Sequence, residues 1–280
     1  MRKITGKKML SETFRIIETS KFDVSHLIDV FEEKIAGCVF RGGIDSDVCS
    51  KIANNFWNSA YLRHRNDGVP GSFLGAYHYK KKLADYLDEA EYFNPILPRI
   101  FSKTENIFQR VLDELQLALK ENKKILRPAQ HGIQEACHFF VRSWSGGEGE
   151  DYALAPHDDD AQCTDKKQQG FEIQSTINFP IVAANFCIEN FGGGNLHYWN
   201  IQPDNQSKVM LGVEETGYPY PIELLQEFDM IDLKINASDI YFFNGKNIHA
   251  VSSPKTQKSY RTTISCLMGS NKNKDIIYWT

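Results

Sequence analysis

The sequence predicts an α+β fold in which N-terminal helices buttress a jelly-roll β-sandwich, and three features carry that expectation. Apolar residues recur at helical spacing through the first 130 positions. From Gln134 onward they gather instead into short runs rich in aromatic and β-branched residues. Gly, Asn, Asp and Pro punctuate those runs at the intervals of an antiparallel sandwich or barrel. At 280 residues, 41% of them apolar, the chain can bury a substantial core.

Taken in order, Asp45-Ser46-Asp47 precedes Val48, Ile52 and Phe56 at spacings of four, the pattern of a capped amphipathic helix. Phe56 and Trp57 read as core. Residues 65–79 carry Gly68, Pro70, Gly71 and Gly75 and read as a long structured loop of the kind that reaches into sites. His78, between Tyr77 and Tyr79, is therefore a candidate substrate-pocket residue. Lys80-Lys81-Lys82 reads as the solvated start of a helix over 80–92, and a further helix spans 104–121. Pro95 and Pro98 force the connection between them.

The runs CHFFVRSW (137–144), FEIQSTINFPIV (171–182), NFCIEN (185–190), NLHYWNI (195–201), MIDLKI (230–235), DIYFF (239–243), HAVSS (249–253) and RTTISCLMG (261–269) each have strand length. Gly146-Gly147, 190–194, Pro203-Asp204-Asn205 and Asn244-Gly245 separate them, and 221–228 reads as a short inserted helix. The expected organisation is a single domain over 1–280: a mainly helical front (1–130), a jelly-roll core (131–270) and a C-terminal tail (271–280).

Charge narrows the function. With 32 Lys+Arg against 36 Asp+Glu, the net charge of -4 gives no broad attraction for phosphate backbones or anionic lipid. Nucleic acid and membrane are poor default partners, and a small polar ligand fits better. No apolar run approaches the roughly 20 residues that span a bilayer. The opening MRKITGKKMLSETFRIIETS has no signal-peptide core, so a cytoplasmic protein is expected. Six cysteines without a CxxC pair read as reduced, packed thiols.

The densest chemistry lies in Ala155-Pro156-His157-Asp158-Asp159-Asp160. On extended backbone His157 and Asp159 point the same way, so both can ligate one metal ion, while Asp158 and Asp160 face the other way. Alone, the pattern also fits a solvated acidic loop. His249, after the strand ending Tyr241-Phe242-Phe243, offers a third ligand. Twelve residues further on, Arg261 interrupts an apolar strand, where its charge needs a partner: a structural carboxylate or a bound one. Two His and one Asp on one face of an iron leave positions open for a co-substrate and O₂. His197, His131 and His138 read as wall or edge residues, not ligands.

HDD at 157–159, GGGNLHYWN at 192–200 and DIYFFNGKNIHAV at 239–251 followed by YRTTIS resemble the iron(II)/2-oxoglutarate-dependent dioxygenases over about 130–270. The resemblance implies a double-stranded β-helix core, with His157, Asp159 and His249 as iron(II) ligands. It also implies that Arg261 holds the distal carboxylate of 2-oxoglutarate and that Thr263 assists it. Asn178 or Thr176, on the preceding strand, is expected to reach the co-substrate. The front segments at 40–59 and 66–90 are similar to bacterial enzymes that halogenate or hydroxylate free amino acids such as lysine. The halogenases carry glycine in place of the aspartate ligand; with Asp159 present, hydroxylation of a free, lysine-like or other basic amino acid is the expectation. Asp160 matches a position that holds the substrate's amino group. Asp158 beside it supplies a second carboxylate for a cationic amine, and Trp279 matches an aromatic residue that closes the pocket. The alternatives are a desaturase, a peptide or natural-product hydroxylase on the same iron site, or a non-catalytic jelly-roll protein that holds a metal or small acid.

Overall fold

Alternation from Val182 to Ile188, within the strand Ile181–Phe191, separates the layers of the molecule. Val182, Ala184, Phe186 and Ile188 turn toward a helical layer, whereas Ala183 and Cys187 turn into the gap between two sheets. The structure is a computed structural model. It describes residues 3–65, 71–121, 123–145, 151–253, 256 and 259–280; Gly68, Pro70 and Gly146-Gly147, expected as loop breaks, lie outside them.

The larger sheet runs, strand beside strand, Ile16–Thr19, Gly37–Phe40, Ile240–Asn244, Ile181–Phe191, Tyr260–Ser270, Phe140–Ser145, Gly71–Leu74 and Arg63–Arg65. Ile276–Trp279 pairs with the end of Tyr260–Ser270 and carries Leu126–Pro128 on its far side. The smaller sheet runs Tyr152–His157, His249–Ser252, Leu196–Trp199 and Met230–Leu233. The two pack over Leu196, Tyr198, Leu233, Tyr241 and Phe243, the core of a jelly-roll sandwich.

Helices cover the outer face of the larger sheet. Asp45 caps Ser46–Trp57 by accepting from Asp47 N at 2.8 Å and Val48 N at 3.4 Å, and the helix buries Cys49, Ile52, Ala53 and Phe56. Burying a side chain as large as Phe56 contributes about 1.5–3 kcal/mol. Leu83–Phe93 begins three residues after the expected start, leaving Lys80-Lys81-Lys82 ahead of the helix, and Ile107–Lys120 falls within the expected 104–121, with Pro98 at the start of a 3₁₀ turn over Leu97–Phe101. Among the described residues no helix is long and apolar enough to cross a membrane. All six cysteines are free and buried.

Several expectations are corrected. The front, expected to be mainly helical, also supplies strands: Ile16–Thr19, Gly37–Phe40, Arg63–Arg65 and Gly71–Leu74 join the larger sheet. Gly37–Phe40 is buried on both faces, so it lacks the alternation that marks a strand. Residues 271–280 are no tail, because Ile276–Trp279 is a fully buried strand. Asp204, expected as loop punctuation, caps a helix Asn205–Leu211 by accepting from Ser207 N at 2.8 Å. Only the 3₁₀ turn Ile222–Leu224 forms within 221–228. Trp57 is not core: it is 39% exposed, with Nε1 donating to Glu189.

Candidate active site

His157 ends one strand of the smaller sheet and His249 begins its antiparallel neighbour, in direct register. Their ring centroids lie 4.1 Å apart. Two residues beyond His157 the chain turns, and Asp159 N donates to Gly245 O at 2.8 Å, which brings Asp159 Oδ2 to 3.4 Å from His249 Nε2. One ligand atom from each of His157, Asp159 and His249 falls within 4.8 Å of the others. His157 Nδ1 donates to Ala155 O and His249 Nδ1 to Asn247 O, each at 2.9 Å. A carbonyl only accepts, so both rings keep an Nε2 lone pair free for a metal.

Electrostatics prepares the same state. Burial, reinforced by the neighbouring imidazole of His249, pushes His157 down to about 3, and burial pushes His249 down to about 4. Both rings are neutral at pH 7. Burial raises Asp159 to about 6, against the opposing pull of His157. Two neutral imidazoles and one carboxylate are the donor set of a facial iron site.

A cavity of about 430 Å³ opens on these three side chains. Leu154, Ala183, Leu196, Phe243 and Val251 give it apolar walls, and Asn185, Tyr241, Arg142, Arg261 and Thr263 give it polar ones. Arg261 is 3% exposed; Nη1 donates to Gly194 O at 2.9 Å and Nε has no hydrogen-bond partner. Among the described residues no carboxylate forms an ion pair with it. Thr263, two residues on and on the same strand face, has a buried Oγ1 that is likewise unpartnered. A buried guanidinium and hydroxyl left open to the cavity fit a dicarboxylate co-substrate.

Other expected site residues stand elsewhere. Thr176 belongs to a 3₁₀ turn, Glu172–Thr176, and its hydroxyl donates to Ile173 O at 2.7 Å; Asn178 is exposed in the turn that follows. Pro180 lacks the N–H a ladder needs, and the strand begins only at Ile181. The cavity-facing amide of that strand is Asn185, which continued alternation from Ile181 would have found. Asp158 and Asp160 hold no open place for an amine: Lys208 Nζ lies 3.2 Å from Asp158 Oδ1 and contacts Asp160 Oδ1, and Tyr220 donates to Asp158 Oδ2 at 2.5 Å. Asp158 borders the cavity, but its charge is already compensated. Trp279 is fully buried, with Nε1 donating to Gln162 at 3.1 Å, and its neighbour Thr280 reaches the cavity instead.

His78 lines the cavity, with Nδ1 donating to Thr280 O at 2.9 Å. His197 lies against Tyr152 and Asp232, His131 meets Gly170 O and His138 meets Glu135, all away from the three ligands. Arg142 went unnoticed, although it interrupts an aromatic strand just as Arg261 interrupts an apolar one.

No family model matches the chain. It is 31% identical over 252 residues to an L-isoleucine 3(1)-dioxygenase of Pantoea ananatis (strain AJ13355), covering 86% of this chain and 82% of that protein. Among solved structures it superposes on an N-substituted L-amino acid dioxygenase from Burkholderia ambifaria AMMD with a TM-score of 0.60 at 16% identity, covering 92% and 91% of the two chains. The complex of that enzyme with α-ketoglutarate gives a TM-score of 0.54 at 17% identity over the same shares. These two likenesses establish the fold.

Proposed function

Since the chain belongs to the iron(II)/2-oxoglutarate-dependent dioxygenases, we propose that it hydroxylates an unactivated C–H bond of a small free L-amino acid with an aliphatic side chain. The observation that carries this reading is the convergence, in a single cavity, of two neutral imidazoles and one carboxylate beside Arg261, which meets no carboxylate among the described residues. The aliphatic preference rests on the apolar walls and on Lys208, which occupies the carboxylates that a basic substrate would need.

In this reading His157, Asp159 and His249 hold iron(II), and Arg261 with Thr263 binds the distal carboxylate of 2-oxoglutarate. Bound there, iron and 2-oxoglutarate supply O₂ activation, coupling decarboxylation of the co-substrate to succinate and CO₂ with transfer of one oxygen atom into the substrate. The protein's part is geometric. The two backbone carbonyls fix the imidazole orientations, the Gly245 carbonyl fixes the turn that carries Asp159, and Arg261 sets the depth of the co-substrate. Leu154, Leu196 and Val251 exclude water and hold an alkyl side chain near the metal. The whole chain, 1–280, acts as one catalytic domain in the cytoplasm, a reducing compartment suited to six free thiols.

The test is mass spectrometry after incubation with iron(II), 2-oxoglutarate, ascorbate and a panel of L-amino acids that includes isoleucine and lysine. A product heavier by one oxygen from an aliphatic member, with matching succinate, is expected. Succinate release that no amino acid stimulates, with no oxygenated product, overturns the substrate class.

A further inference from the structure

Among the cations that line the cavity without a task in the chemistry so far, Arg142 stands on the same sheet wall as Arg261. Arg142 stands directly opposite Thr263 in the ladder between Phe140–Ser145 and Tyr260–Ser270, and Arg261 is one alternate position further along the neighbouring strand. Directly paired residues, and residues two apart, project from the same face. Arg142, Thr263 and Arg261 thus share the wall of the cavity that contains His157, Asp159 and His249.

Arg142 feels the attraction of Asp159 but, among the described residues, makes no direct ion pair with it. Its Nε is buried with no hydrogen bond, and among the described residues no carboxylate forms an ion pair with it. Its guanidinium carbon sits 4.1 Å from the ring centroid of Trp144 and 5.0 Å from that of Phe140, which restrains the guanidinium. Burial, then the nearby Arg65 and Arg261 cations, pulls its pKa down to about 9. A restrained guanidinium facing a cavity, repelled by other cations, is arranged to receive a carboxylate in bidentate geometry.

Counting carboxylates identifies which one. 2-Oxoglutarate brings two: one belongs at the metal and the other at Arg261. A third anionic group must come from the other reactant, and a free amino acid carries one. We propose that Arg142 anchors the α-carboxylate of the amino-acid substrate. This assignment rests on the amino-acid reading above.

The experiment is anaerobic titration of the iron(II)–2-oxoglutarate complex, followed by its visible charge-transfer band, for the wild type, Arg142→Gln and Arg142→Lys. The probes are the twenty proteinogenic L-amino acids, then the carboxamide of the one that perturbs the band at lowest concentration. The wild type should prefer the acid over its amide by about 10- to 100-fold, the scale of a charge-assisted contact. Arg142→Gln should weaken acid binding by about the same factor and bind acid and amide within about threefold of each other, while Arg142→Lys recovers part of the preference. The affinity for 2-oxoglutarate should stay within about threefold of wild type in both variants. The band itself reports a folded, loaded site in each.

A wild type that binds acid and amide equally overturns the assignment without any variant. So does an Arg142→Gln variant that keeps the wild-type preference, or one that loses 2-oxoglutarate in proportion. If no amino acid perturbs the wild-type band although 2-oxoglutarate forms it normally, the amino-acid reading itself fails, and the assignment with it.

Discussion

Lys208 lies 3.2 Å from Asp158, and the two are sealed from solvent beneath the turn that presents Asp159. The ammonium also contacts Asp160, so one cation is shared by both carboxylates that flank the metal-facing one, and burial together with the Asp158 charge raises Asp160 to about 7. Removing one partner of a buried charge cluster leaves the rest uncompensated, at about 3–5 kcal/mol. Lys208→Met should lower the unfolding free energy by about that amount, measured by urea denaturation of the metal-free protein. It should also raise the iron(II) dissociation constant, because Asp159 loses its rigid flanks. Unchanged stability would mean that the carboxylates find other partners.

The close approach of Gly245 to Asp159 gives a second, sharper handle. A Cβ at Gly245 would lie 2.5 Å from Asp159 Oδ2, closer than any tolerated contact, and a tight 3.0 Å from Asp159 Cβ. The carboxylate is the part that can yield, so Gly245→Ala should swing it off the axis shared with His157 and His249. Iron(II) affinity should drop about 10- to 100-fold, the range for disturbing a ligand's support, while the melting temperature stays near wild type. A chelator competition titration measures the first and calorimetry the second. Full iron affinity in Gly245→Ala would detach Asp159 from the metal.

The convergence of His157, Asp159 and His249 was legible in outline, since the spacing of His157 and Asp159 and the apolar run before His249 mark the candidates, but the strand ends at His157 and the turn held by Gly245 O, not continued alternation, brings Asp159 to the imidazoles. Arg261 was legible because an arginine inside an apolar strand must answer for its charge. The same rule applied to CHFFVRSW would have exposed Arg142. Lys208 was beyond reach, since nothing local shows that the helix Asn205–Leu211 folds under the turn at 158–160. Asp158 and Asp160 thus looked available to a ligand when they are internal partners. The strands of the front half failed for a similar reason: Gly37–Phe40 is buried on both faces and has no period to read.

Arg261 offers a test of the co-substrate site that does not depend on the substrate. Its Nη1 is tied to Gly194 O, and a Cβ at Gly193 would lie 2.6 Å from Arg261 Cβ. Arg261→Gln removes the charge and Gly193→Ala displaces the side chain that carries it. Both should raise the 2-oxoglutarate dissociation constant, Arg261→Gln by about 10- to 100-fold, the value of a charge-assisted hydrogen bond. Iron(II) affinity without co-substrate should remain within about threefold of wild type, as Arg261 lies outside the donor set. Equal losses for iron and 2-oxoglutarate in Arg261→Gln would point to general disruption of the sheet.

His78 couples the cavity wall to pH. Its ring is 5% exposed and donates to Thr280 O, and burial holds its pKa below the ordinary 6.5, so the folded protein keeps it neutral. The unfolded chain binds a proton there as pH falls through about 6.5, and the folded chain refuses it until a lower pH. Unfolding is therefore favoured by acid: this contribution to stability is complete above about 6.5 and is lost progressively below it. The slope reaches at most about 1.4 kcal/mol per pH unit for one proton. Urea denaturation of the metal-free protein between about pH 5 and 7 should show a shallower decline in His78→Gln than in the wild type, with the curves parallel above about pH 7. Identical slopes throughout would mean that His78 takes its proton in the folded state, and that burial does not hold the ring neutral.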